Sequence, residues 1–197
     1  MPNLTRIRST NKSSWENRHE TFVQDISDLF DVMNGNTGSV LNDYNFTTKA
    51  LQEFLRTAQN SNKTVRAVGG GWSWTKVAAT NGWMINTKQL NMTLTNSSPK
   101  ISNMYQGDFK KLMFAQCGNS VKELNDKLRK KKRSLKTSVA SNGQTIVGAI
   151  STGTHGSAFD FGSTQNFIVG LHVIISPSNH RVDRKTILSG CFGFFYK

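Results

Sequence analysis

The sequence predicts an α+β protein, a mixture of strands and helices in two lobes that meet near residue 100. Three observations predict it. Short apolar strands alternate with amphipathic helices along the chain. Two glycine-rich segments, Gly69-Gly70-Gly71 and Thr152-Gly153-Thr154-His155-Gly156-Ser157, punctuate that alternation. The length of 197 residues with 36% hydrophobic content suits one domain or two small lobes around a buried core.

Residues 1–20 are polar and read as loosely ordered. From Thr21 a capping-box pattern (Thr21, Gln24) precedes Phe22, Ile26, Leu29, Phe30 and Met33 at helical spacing, which predicts a first helix. Gly35-Asn36-Thr37-Gly38 ends it. Thr47 or Thr48 caps a second helix with the stripe Ala50, Leu51, Phe54, Leu55 and Ala58, and Asn60-Ser61-Asn62 breaks it. Thr64–Val68 reads as a buried strand running into the first glycine segment, and Trp83-Met84-Ile85 as a strand after the Asn81-Gly82 turn. Lys100–Tyr105 and Leu112–Cys117 read as two strands, paired antiparallel across Gln106-Gly107-Asp108. Ser120 and Glu123 form a capping box for a helix over 120–132 with Val121, Leu124 and Leu128 on one face. A polar loop, Ser138–Gly143, and a small-residue stretch, Thr145–Thr152, lead into the second glycine segment. Phe167–Ser176 is long enough for a buried strand, and Ile187–Lys197 is an apolar tail without a recognisable closing element.

The chain carries 25 Lys+Arg against 12 Asp+Glu, a net charge of +13, which favours anionic ligands. Its densest cluster, Arg129–Arg133, fits either a nucleic-acid patch or, more simply, cations at the negative end of a helix dipole. No apolar run approaches the roughly 18 residues of a membrane span. The start lacks the apolar stretch of a signal peptide, so a cytoplasmic protein is expected. Two cysteines, Cys117 and Cys191, exclude a disulfide framework and a multi-cysteine zinc module. Cys117 reads as a buried structural thiol.

Chemistry concentrates in the glycine segments. Gly69, Gly70 and Gly71 after a strand let successive backbone N–H groups form an anion-binding nest, with Ser73 as a hydroxyl donor; a plain tight turn is the alternative. Contiguous glycines do not match the Rossmann fingerprint. The second segment gathers hydroxyls and His155, suited to phosphate or sugar oxygens. No partner lies at ligand spacing from His155, so no metal site is expected. His172 reads as a core or edge residue, and His19 and His180 as exposed.

Four stretches, VRAVGGGWSW, NGWMINTKQLN, QTIVGAISTGTHGS and FIVGLHVIISP, appear in an order that resembles the PCMH-type FAD-binding domain of the vanillyl-alcohol-oxidase flavoproteins. Within that superfamily the likeness is to the aldonolactone and alditol (sugar) oxidases. The resemblance covers about Phe46 to Pro177. It implies two α/β lobes, one with a small parallel sheet and one mainly antiparallel, with FAD extended between them. It implies that Ala67, Val68, Gly69, Gly70, Gly71, Trp72 and Ser73 wrap the FAD pyrophosphate. Thr145 and Gly148 would lie near the ribityl-phosphate stretch, and Thr152, Gly153, Thr154 and His155 near the flavin end. Many relatives have a covalently flavin-linked histidine where this chain has Trp72, so non-covalent FAD is implied.

On this reading residues 1–36 form a polar segment and helix, 37–100 the first lobe, 101–190 the second lobe and 191–197 a truncated tail. Relatives continue into a substrate-binding domain. The chain is therefore expected to be the cofactor half of an oxidoreductase moving hydride from a polyol or lactone hydroxyl to FAD, or a non-catalytic FAD- or nucleotide-binding remnant. A second chain could complete the site. A basic nucleic-acid-binding protein is the third reading.

Overall fold

A computed structural model describes residues 6–95, 106–174 and 192–194. Its first sheet has the order β1-β4-β6-β5, from β1 (Ile7–Ser9), β4 (Asp28–Met33), β5 (Val65–Val68) and β6 (Trp83–Gln89). β4, β6 and β5 run parallel, and β1 closes the edge antiparallel to β4. β2 (Ser14–Glu16) and β3 (Val23–Asp25) form a separate hairpin ribbon. The crossover from β4 to β5 is α1 (Val40–Asn60), which lays Ala50 and Phe54 on the sheet against Ile7, Val32 and Ile85, with Ala58 also buried. The second sheet, β7-β8-β10-β9, is wholly antiparallel: β7 (Thr93–Thr95), β8 (Met113–Ala115), β10 (Phe192–Phe194) and β9 (Ile168–Leu171). Beside it, α2 (Val121–Arg129) and α3 (Ile146–Ser151) share a core of Met113, Ala115, Leu124, Leu128, Ile146 and Ala149. A mainly parallel lobe and an antiparallel one, each with helices, make up the expected α+β class.

Several local readings are corrected. The helix expected from Thr21 is two strands, β3 and β4. Its apolar spacing fits a 3.6-residue period, but β4 lies between β1 and β6, where both ladders satisfy its backbone and both faces bury apolar side chains. Thr21 caps no helix. Its hydroxyl accepts from Asn17 Nδ2 and donates to Trp74 O. Residues 6–20 are not loose, since β1 belongs to the first sheet and Arg6 is buried. Arg6 donates to the Asp43 carboxylate at 3.0 Å and to Thr47 Oγ1 at 3.1 Å. Burial works to raise the Asp43 pKa, but bonds from Arg6 and Thr37 outweigh it and hold the carboxyl below its ordinary range. The second expected helix begins earlier than Thr47 or Thr48: Ser39 is the cap, accepting from the Asn42 N–H, and Thr47 is buried within α1.

The strand expected at Lys100–Tyr105 lies outside the described residues, and β8 pairs instead with β7 and β10. The tail was expected to lack a closing element, yet Phe192–Phe194 forms the strand between β8 and β9. The capping box of α2 is present as read, with Glu123 accepting the Ser120 N–H at 2.6 Å.

The lobes are joined by specific contacts. Asn34, past the end of β4, and Gln116, past the end of β8, exchange two amide hydrogen bonds of 2.7 and 3.0 Å. Cys117 packs against both cores, and burial pushes its thiol up to about 11, consistent with a neutral structural thiol. Tyr44 of α1 meets Phe114 edge-on and hydrogen-bonds His172, which is half-buried beyond β9.

Candidate functional site

β5 delivers the first glycine segment to the lobe junction. Val68 is buried, and the next residue lies against the N-cap of α3. A Cβ on Gly69 would stand 2.2 Å from Thr145 Oγ1, so only glycine lets the loop approach this closely. Gly71 turns the chain with φ 67°. The backbone N–H groups of Gly70, Gly71, Trp72 and Ser73 find no acceptor among the described residues. Successive unpaired N–H groups at a turn with positive φ make a nest suited to phosphate oxygens.

Trp72 is half-buried and lies so close to Gly143 that a Cβ there would sit 2.2 Å from the indole. Gly143 and Thr145 thus hold the first loop against the second lobe. Thr145 is itself buried, paired across a bridge with Ser120, and Gly148 follows within contact of its hydroxyl. Between them, Gln144 Oε1 is buried without a hydrogen-bond partner among the described residues. A buried acceptor in that state suits a ligand bearing O–H or N–H donors.

The second segment is built differently. The N–H groups of Thr152, Gly153 and Thr154 close the end of α3, bonding Gly148 O, Ile150 O and Ala149 O. The Thr152 hydroxyl donates to Gly148 O at 2.8 Å and lies 3.2 Å from that of Thr154. His155 is exposed, with Nδ1 2.9 Å from Gly156 O. α3 therefore connects the two predicted segments, Thr145 at its start and Thr152 at its end. Direct packing is seen between the first loop and Gly143–Thr145.

Sequence reasoning missed the N-terminal clamp on the first loop. The Arg18 N–H donates to Gly71 O at 2.9 Å, and Asn17 Nδ2 to Ser73 O at 3.0 Å. The Arg18 guanidinium lies 4.8 Å from the Trp72 ring centre. His19, expected to be exposed, is half-buried: it stacks on Trp74 at 4.0 Å and meets Trp72 edge-on at 5.3 Å. No local pattern in residues 15–20 marks these partners, because they lie more than 50 residues away. His180 lies outside the described residues. Among the described residues no cluster of His, Cys, Asp and Glu could hold a metal ion, and no helix is long and apolar enough to cross a membrane.

Residues 46–180 match the family described as FAD binding domain, a stretch that holds both glycine segments and all of α3. The chain belongs to this FAD-binding domain family. It is 28% identical over 126 residues to a D-arabinono-1,4-lactone oxidase of Yarrowia lipolytica, covering 64% of this chain and 23% of that protein. It is 29% identical over 121 residues to L-gulonolactone oxidase of Mus musculus, covering 61% of this chain and 25% of that protein. The chain thus spans about a quarter of the length of these relatives. Cholesterol oxidase from B. sterolicum shares the fold at TM-score 0.58 and 15% identity, covering 80% of this chain and 27% of that one. Xylooligosaccharide oxidase from Myceliophthora thermophila does so at TM-score 0.59 and 11% identity, covering 82% and 31%. FAD is therefore the cofactor of this domain. The free nest and the orphaned Gln144 acceptor fit such a dinucleotide, which offers phosphate oxygens to the one and hydroxyl and N–H donors to the other.

Proposed function

We propose that this domain holds FAD across the lobe junction as the cofactor half of an oxidoreductase acting on a CH–OH group of a lactone or sugar alcohol. The observation that carries the reading is the row of N–H groups at Gly70–Ser73 that have no acceptor among the described residues, held against the second lobe by Trp72 and Gly143. In this reading those N–H groups bind the pyrophosphate, with the Arg18 cation adding long-range attraction. Gln144 accepts from a hydroxyl or N–H of the cofactor. Thr145, Gly148 and Thr152–His155 line its course toward the flavin. Bound FAD supplies a two-electron acceptor; the chain's own residues bind and orient it.

Trp72 has no nucleophilic ring nitrogen, so the reading includes non-covalent FAD. After acid precipitation of protein reconstituted with FAD, the yellow colour should stay in the supernatant. Flavin retained on the washed pellet would refute non-covalent binding. Likeness to lactone oxidases supports a lactone as the substrate class, and this chain spans about a quarter of the length of those relatives. Turnover by these 197 residues alone is therefore expected to be very low. Orientation in a closed site contributes about 7–11 kcal/mol of barrier lowering. A steady-state assay with added FAD and a panel of aldonolactones tests this, and robust turnover would contradict it.

A further inference from the structure

The basic run Arg129–Arg133 does more than finish a helix. α2 stops at Arg129, and the chain reverses through Lys132, whose φ of 55° lies in the left-handed region that a side chain disfavours. In that reversal the N–H groups of Lys131 and Arg133 both donate to Leu128 O, at 2.8 and 3.0 Å. The turn brings Lys131 and Arg133 to the rim of a pocket of about 250 Å³ that Lys110, Lys111, Leu112, Met113 and Leu128 also line. Met113 and Leu128 belong to the buried core of the second lobe, so the apolar part of the pocket is fixed.

None of these four cations has an ion-pair partner among the described residues. Asp126 is engaged by Lys122 and Arg129, and the Asp108 carboxylate accepts the Lys110 backbone N–H. Four like charges on one small pocket repel each other, and an anion among them relieves that repulsion. A bare inorganic anion would leave the apolar surface unused. A phosphate monoester on a short aliphatic carrier uses both parts: its oxygens meet the ammonium and guanidinium donors, and its carbons cover the half-buried Leu112 over the floor that Met113 and Leu128 form. The volume falls below the roughly 300–1,000 Å³ of pockets that enclose drug-sized ligands, so the occupant is of headgroup size.

We propose that this pocket, between the Lys110–Met113 segment and the C-terminal turn of α2, binds the phosphate monoester group of a small aliphatic phosphate. None of its lining residues belongs to either glycine segment, so the proposal stands or falls separately from FAD binding.

The test is a titration of the ¹⁵N-labelled chain followed by amide shifts, with n-butyl phosphate and inorganic phosphate as probes. Saturable shifts are expected at Lys110–Met113 and Leu128–Arg133. Butyl phosphate should bind at least about tenfold tighter than inorganic phosphate, the worth of roughly two buried methylenes. The double variant Lys131→Gln/Arg133→Gln should weaken butyl phosphate by about tenfold or more. Lys12→Gln/Lys49→Gln, which removes the same charge from exposed sites on the other lobe, should change it by less than about twofold. Lys111→Gln, on the opposite wall, is the second test should the double variant misfold. Vesicles of phosphatidylcholine containing phosphatidic acid form the last arm. Binding to them that needs Lys131 and Arg133 identifies a lipid headgroup as the source of the ester, and butyl phosphate binding without vesicle binding identifies a soluble ester. Equal weakening by the two double variants, shifts that never saturate, or inorganic phosphate binding as tightly as the ester would each overturn the proposal.

Discussion

Replacing Gly69 by alanine tests the proposed cofactor cradle at its tightest point. The new methyl would stand 2.2 Å from Thr145 Oγ1, 2.7 Å from its Cγ2 and 2.9 Å from its Cβ. Relaxed contacts between such atoms lie near 3.5–4.0 Å, so the overlap exceeds about 1 Å. Thr145 cannot easily retreat: it is buried, it is the N-cap of α3, and it bridges Ser120. The glycine loop must then move away from the second lobe. Overpacking of this kind costs about 1–3 kcal/mol, which lowers the melting temperature by roughly 2–12 °C in a chain of this size. A shift of about 1 Å also misaligns the Gly70–Ser73 N–H groups, and each 1.4 kcal/mol lost there weakens FAD tenfold. Thermal unfolding and flavin fluorescence titration read the two effects. Adding Thr145→Ala removes the Oγ1 and Cγ2 clashes and should restore part of both. A Gly69→Ala protein that melts and binds FAD like the wild type would refute the close approach.

Other outcomes follow from named contacts. His172 Nδ1 shares a hydrogen bond with the Tyr44 hydroxyl, and burial lowers the imidazole pKa from 6.5 to about 4. The unfolded chain therefore protonates first as pH falls, so the neutral imidazole contributes stability that is complete above pH 6.5 and lost toward pH 4. Allowing for its partial exposure, urea midpoints should report a loss of about 1 kcal/mol near pH 5 that is absent in His172→Gln; a wild type without that slope would contradict it. Ser120→Ala removes one half of the α2 capping box and should cost about 0.5–2 kcal/mol in urea unfolding. Leu124→Ala, at a fully buried position between β8 and α3, should cost about 2–5 kcal/mol by the same measurement.

Legibility in the sequence followed the range of the determining interaction. The α2 capping box and the end of α1 at Ser61 each depend on residues within a few positions, and the structure holds both; the strand at Val65–Val68 forms, but Arg66 and Ala67 within it are exposed, where the sequence predicts a buried strand. The segment Thr21–Met33 misled because its apolar spacing serves a helix and a doubly covered strand equally well. Pairing with β1 on one side and β6, more than 50 residues away, on the other selects strand for β4. The site divides in the same way. Gly69–Gly71 announce a special turn because glycine itself permits it, whereas the clamp by Asn17, Arg18 and His19 has no local signature.

The sequence by itself determined which backbone can turn and bind: three contiguous glycines, the Thr145–His155 run of small and hydroxyl residues, and the excess of positive charge. Tertiary structure alone decided what those groups face. It set Gly69 against Thr145, left the Gln144 acceptor beside them without a partner among the described residues, and folded Arg129–Arg133 back so that Lys131 and Arg133 line one pocket with Lys110 and Lys111. The physical reason is that torsional freedom and charge are properties of single residues. A close approach, an unpaired buried atom or a convergence of like charges is a property of two chain segments, and it arises only when packing of the two cores fixes their distance.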